Sequence, residues 1–376
     1  MSKLLSQGGF GCVYYPGIAC SGKRDPRKTI VTKLQKSGFN ARNEVYIGDL
    51  IKKIPDYELF YLPVIESCPV NVRNIDRELI TECQVVAKSQ DVPFVLMSIP
   101  YVSNRAFFDV VADKSLGRKQ VIATLARTYS YLLTAIKNLV EIGVVQFDLK
   151  GDNILYNLAT KDPQIIDFGI SLPISKISPQ NWSNYFYAYA PEYYVWPLEV
   201  HLINFLLHVS SPLSAEDIPS IVKPYMSSNN ALSLFSSDFK ERYGKLCEVC
   251  LREYVGKAKE KIIPELISHY ATWDNYSLSV LYLKALSRMF PQGIKRNKII
   301  VRFTQLLVLN ISPDAASRVS LSETKKQFEE VFFEGGDVED YEDLVDSFDY
   351  DPELATHGIS EDIAKPQARE KASSVS

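Results

Sequence analysis

The tightest constraint on how this chain can fold lies between Gly143 and Ser171, which reads G-V-V-Q-F-D-L-K-G-D-N-I-L-Y-N and then, after a short interval, D-P-Q-I-I-D-F-G-I-S. Two short apolar runs, Ile154 to Tyr156 and Ile165 to Ile166, flank a turn signal at Lys161-Asp162-Pro163, the pattern of a small hairpin. Asp148, Lys150 and Asn153 stand just before the first run, and Asp167 and Gly169 just after the second. A hairpin brings its ends together, so two carboxylates, an amide and an ammonium are expected at one place. Phosphoryl transfer needs such a set. Asp167 and Asn153 are hard oxygen ligands for a metal-bound triphosphate. Asp148 can orient an attacking hydroxyl and accept its proton, and Lys150 can stabilise the charge on the moving phosphoryl group.

Asp148-Leu149-Lys150-Gly151-Asp152-Asn153 resembles the catalytic loop of eukaryotic-type protein kinases, and Asp167-Phe168-Gly169 resembles their metal-binding motif. A Lys two residues after the catalytic Asp is the serine/threonine version. The resemblance implies an α+β, bilobal protein-kinase-like fold, with a small antiparallel-sheet N-lobe and a large helical C-lobe. Gln146 and Phe147 replace the usual His-Arg pair, so activation is not expected to depend on a phosphate clamped there.

The start of the chain fits the same frame. Leu4-Leu5 and Cys12 to Tyr15 read as strands around Ser6-Gln7-Gly8-Gly9-Phe10-Gly11, where glycines let backbone amides approach phosphates without a Cβ. The resemblance implies an ATP site of Ser6, Gly8, Gly9, Phe10, Gly11, Val13, Val31, Lys33, Met97, Ile99 and Leu155. Lys33 would hold the α- and β-phosphates. Glu44 would be its partner, on a helix over Asn40 to Lys53 that Gly48 leaves loosely held. Tyr57 to Glu66, Leu79 to Lys88 and Pro93 to Tyr101 are expected as further strands. Pro100 lacks an N–H, which leaves Ile99 or Tyr101 as the adenine donor.

Ser115 to Ile142 carries an apolar stripe of Leu125, Tyr129, Leu132, Ile136, Leu139 and Val140, a helix ended by Gly143. Ala190-Pro191-Glu192 resembles the end of a kinase activation segment. The small hydroxyl residue expected a few positions earlier is replaced by Tyr185, Phe186 and Tyr187. Trp273 to Leu278 resembles the start of the central kinase helix, whose Asp274 would bind the catalytic-loop backbone, and Arg318 is expected to pair with Glu192 in a buried ion pair. Phe168 and Gly169 complete the residues assigned structural roles.

The implied layout is an N-lobe over 1–97, a hinge over 98–101, a C-lobe over 102–333 with a helical insertion at about 197–271, and an acidic, disordered tail over 334–376. With 376 residues and 46% hydrophobic content the chain can bury such a core, and a net charge of -3 gives no nucleic-acid footprint. Neither a signal peptide nor a membrane span is visible, so no membrane partner is expected. The six cysteines read as reduced thiols, with Cys247 and Cys250 packed on a helix.

The stretch G-G-F-G-C-V-Y-Y-P-G-I looks like protein kinases of large cytoplasmic DNA viruses. That likeness implies a virus-encoded serine/threonine kinase using ATP and Mg2+, or Mn2+, on viral or host proteins, in host cytoplasm or packaged in virions. Two other readings stay open. A pseudokinase scaffold would account for Gln146, Phe147 and Gly48. A small-molecule kinase of related fold would share the Asp148, Asn153 and Asp167 set.

Overall fold

The computed structural model describes residues 2–8, 11–88, 91–111, 116–290, 298–334 and 365–367. Five strands, β1 (Lys3–Gln7), β2 (Gly11–Tyr15), β3 (Ile30–Lys36), β4 (Glu66–Val70) and β5 (Phe94–Pro100), form an antiparallel sheet in the order β1-β2-β3-β5-β4. In this register Lys33 lies between Val13 and Met97. The sheet has its own core of Tyr14, Leu34, Phe94 and Leu96, closed by Ile80 and Val86.

Here two expectations change. Leu79 to Lys88 is not a strand; it forms short helical turns at Arg77–Ile80 and Gln84–Ala87, and Tyr57–Phe60 is another. Ile80 and Val86 are the buried residues of the two turns, and Cys83 between them has extended backbone and is buried where it is bonded to Cys12. Nor are four of the cysteines thiols: Cys12 is bonded to Cys83 and Cys20 to Cys68, which staples the sheet to its flanking turns. Cys247 and Cys250 are free.

Helix α1 (Phe39–Ile51) turns Ala41, Glu44, Ile47 and Ile51 inward. Gly48 does not loosen it. A Cβ at Gly48 would lie 2.6 Å from the Val64 carbonyl oxygen, so its absence is what lets α1 sit against that backbone.

The rest is mainly helical: α2 (Arg118–Glu141), α3 (Leu198–His208), α4 (Ile218–Ser228), α5 (Ser237–Arg252), α6 (Lys259–Ile267), α7 (Trp273–Met289), α8 (Lys298–Asn310) and α9 (Leu321–Glu329). Helix α7 is buried on every side from Trp273 to Leu286 and forms the axis of this part. The stripe on α2 is core as expected, with Leu125, Tyr129, Leu132, Ile136 and Leu139 all buried. Small strand pairs lie beside the cleft: β6 (Asn104–Ala106), β7 (Val144–Val145), β8 (Ile154–Asn157), β9 (Pro163–Ile165) and β10 (Leu172–Pro173). β8 and β9 form the expected hairpin, and β7 pairs with β10.

Arg318 does not pair with Glu192. Its guanidinium forks onto Glu199 at 2.6 and 2.8 Å, and Trp273 Nε1 donates to the same carboxylate at 2.9 Å. Glu192 is exposed, at a turn ahead of the buried aromatic run Tyr193 to Trp196. Glu199 sits in the first turn of α3, whose residues Leu198 to Leu206 are all buried. Helix α3 is therefore core rather than the start of an appended module. No helix among the described residues is long and apolar enough to cross a membrane.

Candidate active site

The sheet, the β8–β9 hairpin and the loops around them enclose a cleft of about 780 Å³. Ser6, Gly8, Gly11, Val13, Val31, Lys33, Ile99 and Leu155 line it from the expected nucleotide set. Gly9 and Phe10 lie outside the described residues. Met97 is fully buried and does not line the cleft. The Tyr101 N–H is taken by the Thr29 carbonyl at 2.8 Å.

Lys33 projects from β3 and its Nζ donates to both Glu44 oxygens, at 2.9 and 2.7 Å, and to Asp167 Oδ1 at 2.9 Å. One ammonium thus joins the sheet, α1 and the end of the hairpin. Burial works against the Lys33 charge, but Asp167 and Glu44 outweigh it and raise its pKa. Burial likewise lifts Asp167, yet Lys33 and Lys365 hold that carboxyl well below its usual range. Gly169 follows with no side chain; a Cβ there would come 3.2 Å from Glu44 Oε2. Phe168 is buried against Tyr61.

Asp148 and Asn153 meet below this group. Asn153 Nδ2 donates to Asp148 Oδ2 at 2.9 Å and to its backbone carbonyl at 2.8 Å, while Lys150 Nζ lies 3.6 Å from Asp148 Oδ1. The loop's shape is imposed from behind. Asp274, at the start of α7, accepts the Gln146 N–H at 2.7 Å and the Phe147 N–H at 3.0 Å. Those two bonds hold Phe147 at a φ of 68°, where a non-glycine residue needs support. Burial pushes the Asp274 carboxyl up to about 6, against the pull of the two amides.

The structure accounts for the two departures in the loop. Gln146 Oε1 accepts the Asp148 N–H at 2.6 Å, and its Nε2 reaches the carbonyls of Ile166 and Asp167 at 3.3 and 3.2 Å. An amide therefore couples the two motifs. The Phe147 ring stacks on Trp196 at 4.8 Å, and Trp196 Nε1 donates to the Phe147 carbonyl at 2.7 Å. Packing fills the place where an arginine would stand.

Sequence reasoning missed three residues here. The Tyr193 hydroxyl donates to Asp148 Oδ1. Reading Trp196-Pro197-Leu198-Glu199 as the end of the segment would have shown both Glu199 and Tyr193. Lys365 is the third: its Nζ lies 3.2 Å from Asp148 Oδ2 and 3.1 Å from Asp167 Oδ2, and no local signal marks it.

Asp167 and the Asn153 amide oxygen are hard donors, and the ammonium bridging Asp148 and Asp167 shows that this carboxylate pair holds positive charge. The residues present thus fit a divalent cation.

No protein-family model matches the chain. Over 78 residues the chain is 33% identical to the Cell division cycle 7-related protein kinase of Mus musculus. The match covers 20% of this chain and 13% of that relative. Over that fifth, the chain is similar to a protein kinase.

Proposed function

We propose that this chain is a protein kinase of bilobal fold that transfers the γ-phosphate of Mg-ATP to serine or threonine hydroxyls of proteins. The observation that carries the reading is the convergence, in one cleft, of Lys33 with Glu44 and Asp167 on one side and Asp148 with Asn153 on the other. Lys33 would grip the nucleotide phosphates beneath the Gly8 to Gly11 loop. Asp167 and Asn153 would hold Mg2+, which neutralises phosphate charge. Asp148 would orient the substrate hydroxyl and take its proton as the oxygen–phosphorus bond forms and ADP leaves. Lys150 would steady the transferring group. The kinase relative supports the activity, and the Lys150 position supports the serine/threonine assignment. The glycine-loop sequence supports a viral origin, with viral or host proteins as substrates.

The test is transfer of labelled γ-phosphate from Mg-ATP, by wild type and Asp148→Ala, onto the chain itself and a generic basic protein. Phosphoserine or phosphothreonine is expected from wild type, with a loss of about two decades or more in the variant. Mg-ATP binding without transfer by wild type would overturn the catalytic reading in favour of a scaffold.

A further inference from the structure

Residues 365–367 lie in the cleft, far in sequence from everything else there. Lys365 Nζ bridges the two acids on which the proposed chemistry depends, 3.2 Å from Asp148 Oδ2 and 3.1 Å from Asp167 Oδ2. The Pro366 carbonyl accepts the Tyr187 hydroxyl at 3.0 Å, and Gln367 lines the cleft beside the nucleotide-facing residues. Pro366 is buried and the Lys365 side chain is only 14% exposed, so this is an inserted segment and not a surface contact. These three residues depart from the mobile tail expected there; the other residues of 335–376 lie outside the described residues.

We propose that the Lys365–Gln367 segment is an intrasteric inhibitor that competes with Mg-ATP and the acceptor hydroxyl, an inference that rests on the kinase reading of the cleft. Every oxygen of Asp148 is engaged while the segment is bound: Oδ1 by Tyr193 and Lys150, Oδ2 by Asn153 and Lys365. A substrate hydroxyl must displace one of these, and Lys365 is the partner that the rest of the site does not need. Charge leads to the same conclusion. Glu44, Asp148, Asp152 and Asp167 line the cleft with Lys33, Lys150 and Lys365, four carboxylates against three ammonium groups. Withdrawing Lys365 deepens the excess of negative charge from one to two, which a divalent cation would meet. The ammonium therefore stands in for a metal, and the two exclude one another. The intervening residues 335–364, at roughly 3.3–3.6 Å each when extended, could span on the order of 100 Å, ample for insertion within one molecule.

Docking is tested first without nucleotide, by the rate at which an amine-acylating reagent modifies Lys365, followed by mass spectrometry. Lys365 is expected to react at least tenfold more slowly than Lys245, which is exposed, and to speed up in Asp167→Asn. Reaction at the rate of Lys245 would overturn docking, and protection that is lost on dilution would overturn insertion within one molecule. Competition is tested next. Mg-ATP should release the protection. Lys365→Ala should bind Mg-ATP about tenfold more tightly, the factor expected if an open state holds about a tenth of the population, with a lower KM and unchanged kcat. Tyr187→Phe should move in the same direction by less. A peptide of residues 361–369 should inhibit Lys365→Ala, and the same peptide with alanine at 365 should not. Unchanged Mg-ATP affinity in Lys365→Ala, with binding intact, would overturn the inhibitory role alone. Protection of Lys365 in a protein that binds no Mg-ATP in either form would overturn the kinase reading and the competition with it, leaving docking established.

Discussion

Arg318 and Glu199 form a two-pronged ion pair, 2.6 and 2.8 Å long, that is almost completely shielded from water. It ties the approach to α9 to the first turn of α3 and so fixes the segment between Asp167 and Glu199. Removing one partner strands the other charge. Arg318→Ala or Glu199→Ala is expected to cost about 3–5 kcal/mol in denaturant unfolding. Glu192→Ala, at an exposed position, should stay within about 0.5 kcal/mol. Comparable losses at Glu192 and Glu199 would show that the pairing is wrong.

Tyr193→Phe keeps the ring against Trp196 and deletes the hydroxyl that donates to Asp148. A hydrogen bond to a charged group contributes about 1.5–3 kcal/mol, so kcat should fall by roughly tenfold or more. KM for Mg-ATP should barely move, because Tyr193 does not line the cleft. A change confined to KM would assign Tyr193 to binding instead.

Asp274 makes the fold pH-sensitive in a direction opposite to most carboxylates. Its folded pKa, about 6, lies above the ordinary value for an unfolded Asp, about 3.9. The folded state therefore holds the extra proton between those values, and stability falls as pH rises from about 4 to about 6, then levels. The size is on the order of 3 kcal/mol. Asp274→Asn should remove this slope, seen as the wild-type-minus-variant difference in urea unfolding across that range. Asparagine can accept through only one of its two terminal atoms, so the variant also leaves one loop amide unbonded and should lose activity.

The two cross-links predict a thiol count. Denatured without reductant, the protein should titrate two thiols, Cys247 and Cys250, and with reductant six. Reduction should lower stability by about 2–4 kcal/mol per bridge, since each closes a long loop, 71 and 48 residues in sequence. Six thiols without reductant would show that the cysteines are unpaired.

The hairpin carrying Asp148, Asn153 and Asp167 was legible because its signals are local: two apolar runs, a turn and polar residues at fixed offsets. Lys33 with Glu44, and Asp274 with the loop at Gln146 and Phe147, followed from motif order. What escaped depends on contacts that local pattern does not encode. Two glutamates, Glu192 and Glu199, each follow a proline-containing turn, and only burial separates them. Gly48 looked like a weakness until the Val64 carbonyl beside it was known. The Cys12–Cys83 and Cys20–Cys68 pairings depend on how the sheet folds over its turns. Lys365 sits in a polar stretch with nothing to distinguish it from its neighbours.

The bonds from Asp274 to the loop at Gln146 and Phe147 reach across 128 and 127 positions of sequence. On a ribosome, the residues that would do the chemistry emerge long before the carboxylate that shapes them, and Arg318 emerges later still. An N-terminal fragment ending before Trp273 would contain Lys33, Asp148 and Asp167 without the clamp that sets the loop. The shape of the loop is thus deferred until Asp274 has been made, and products truncated before Trp273 would carry the loop without its clamp.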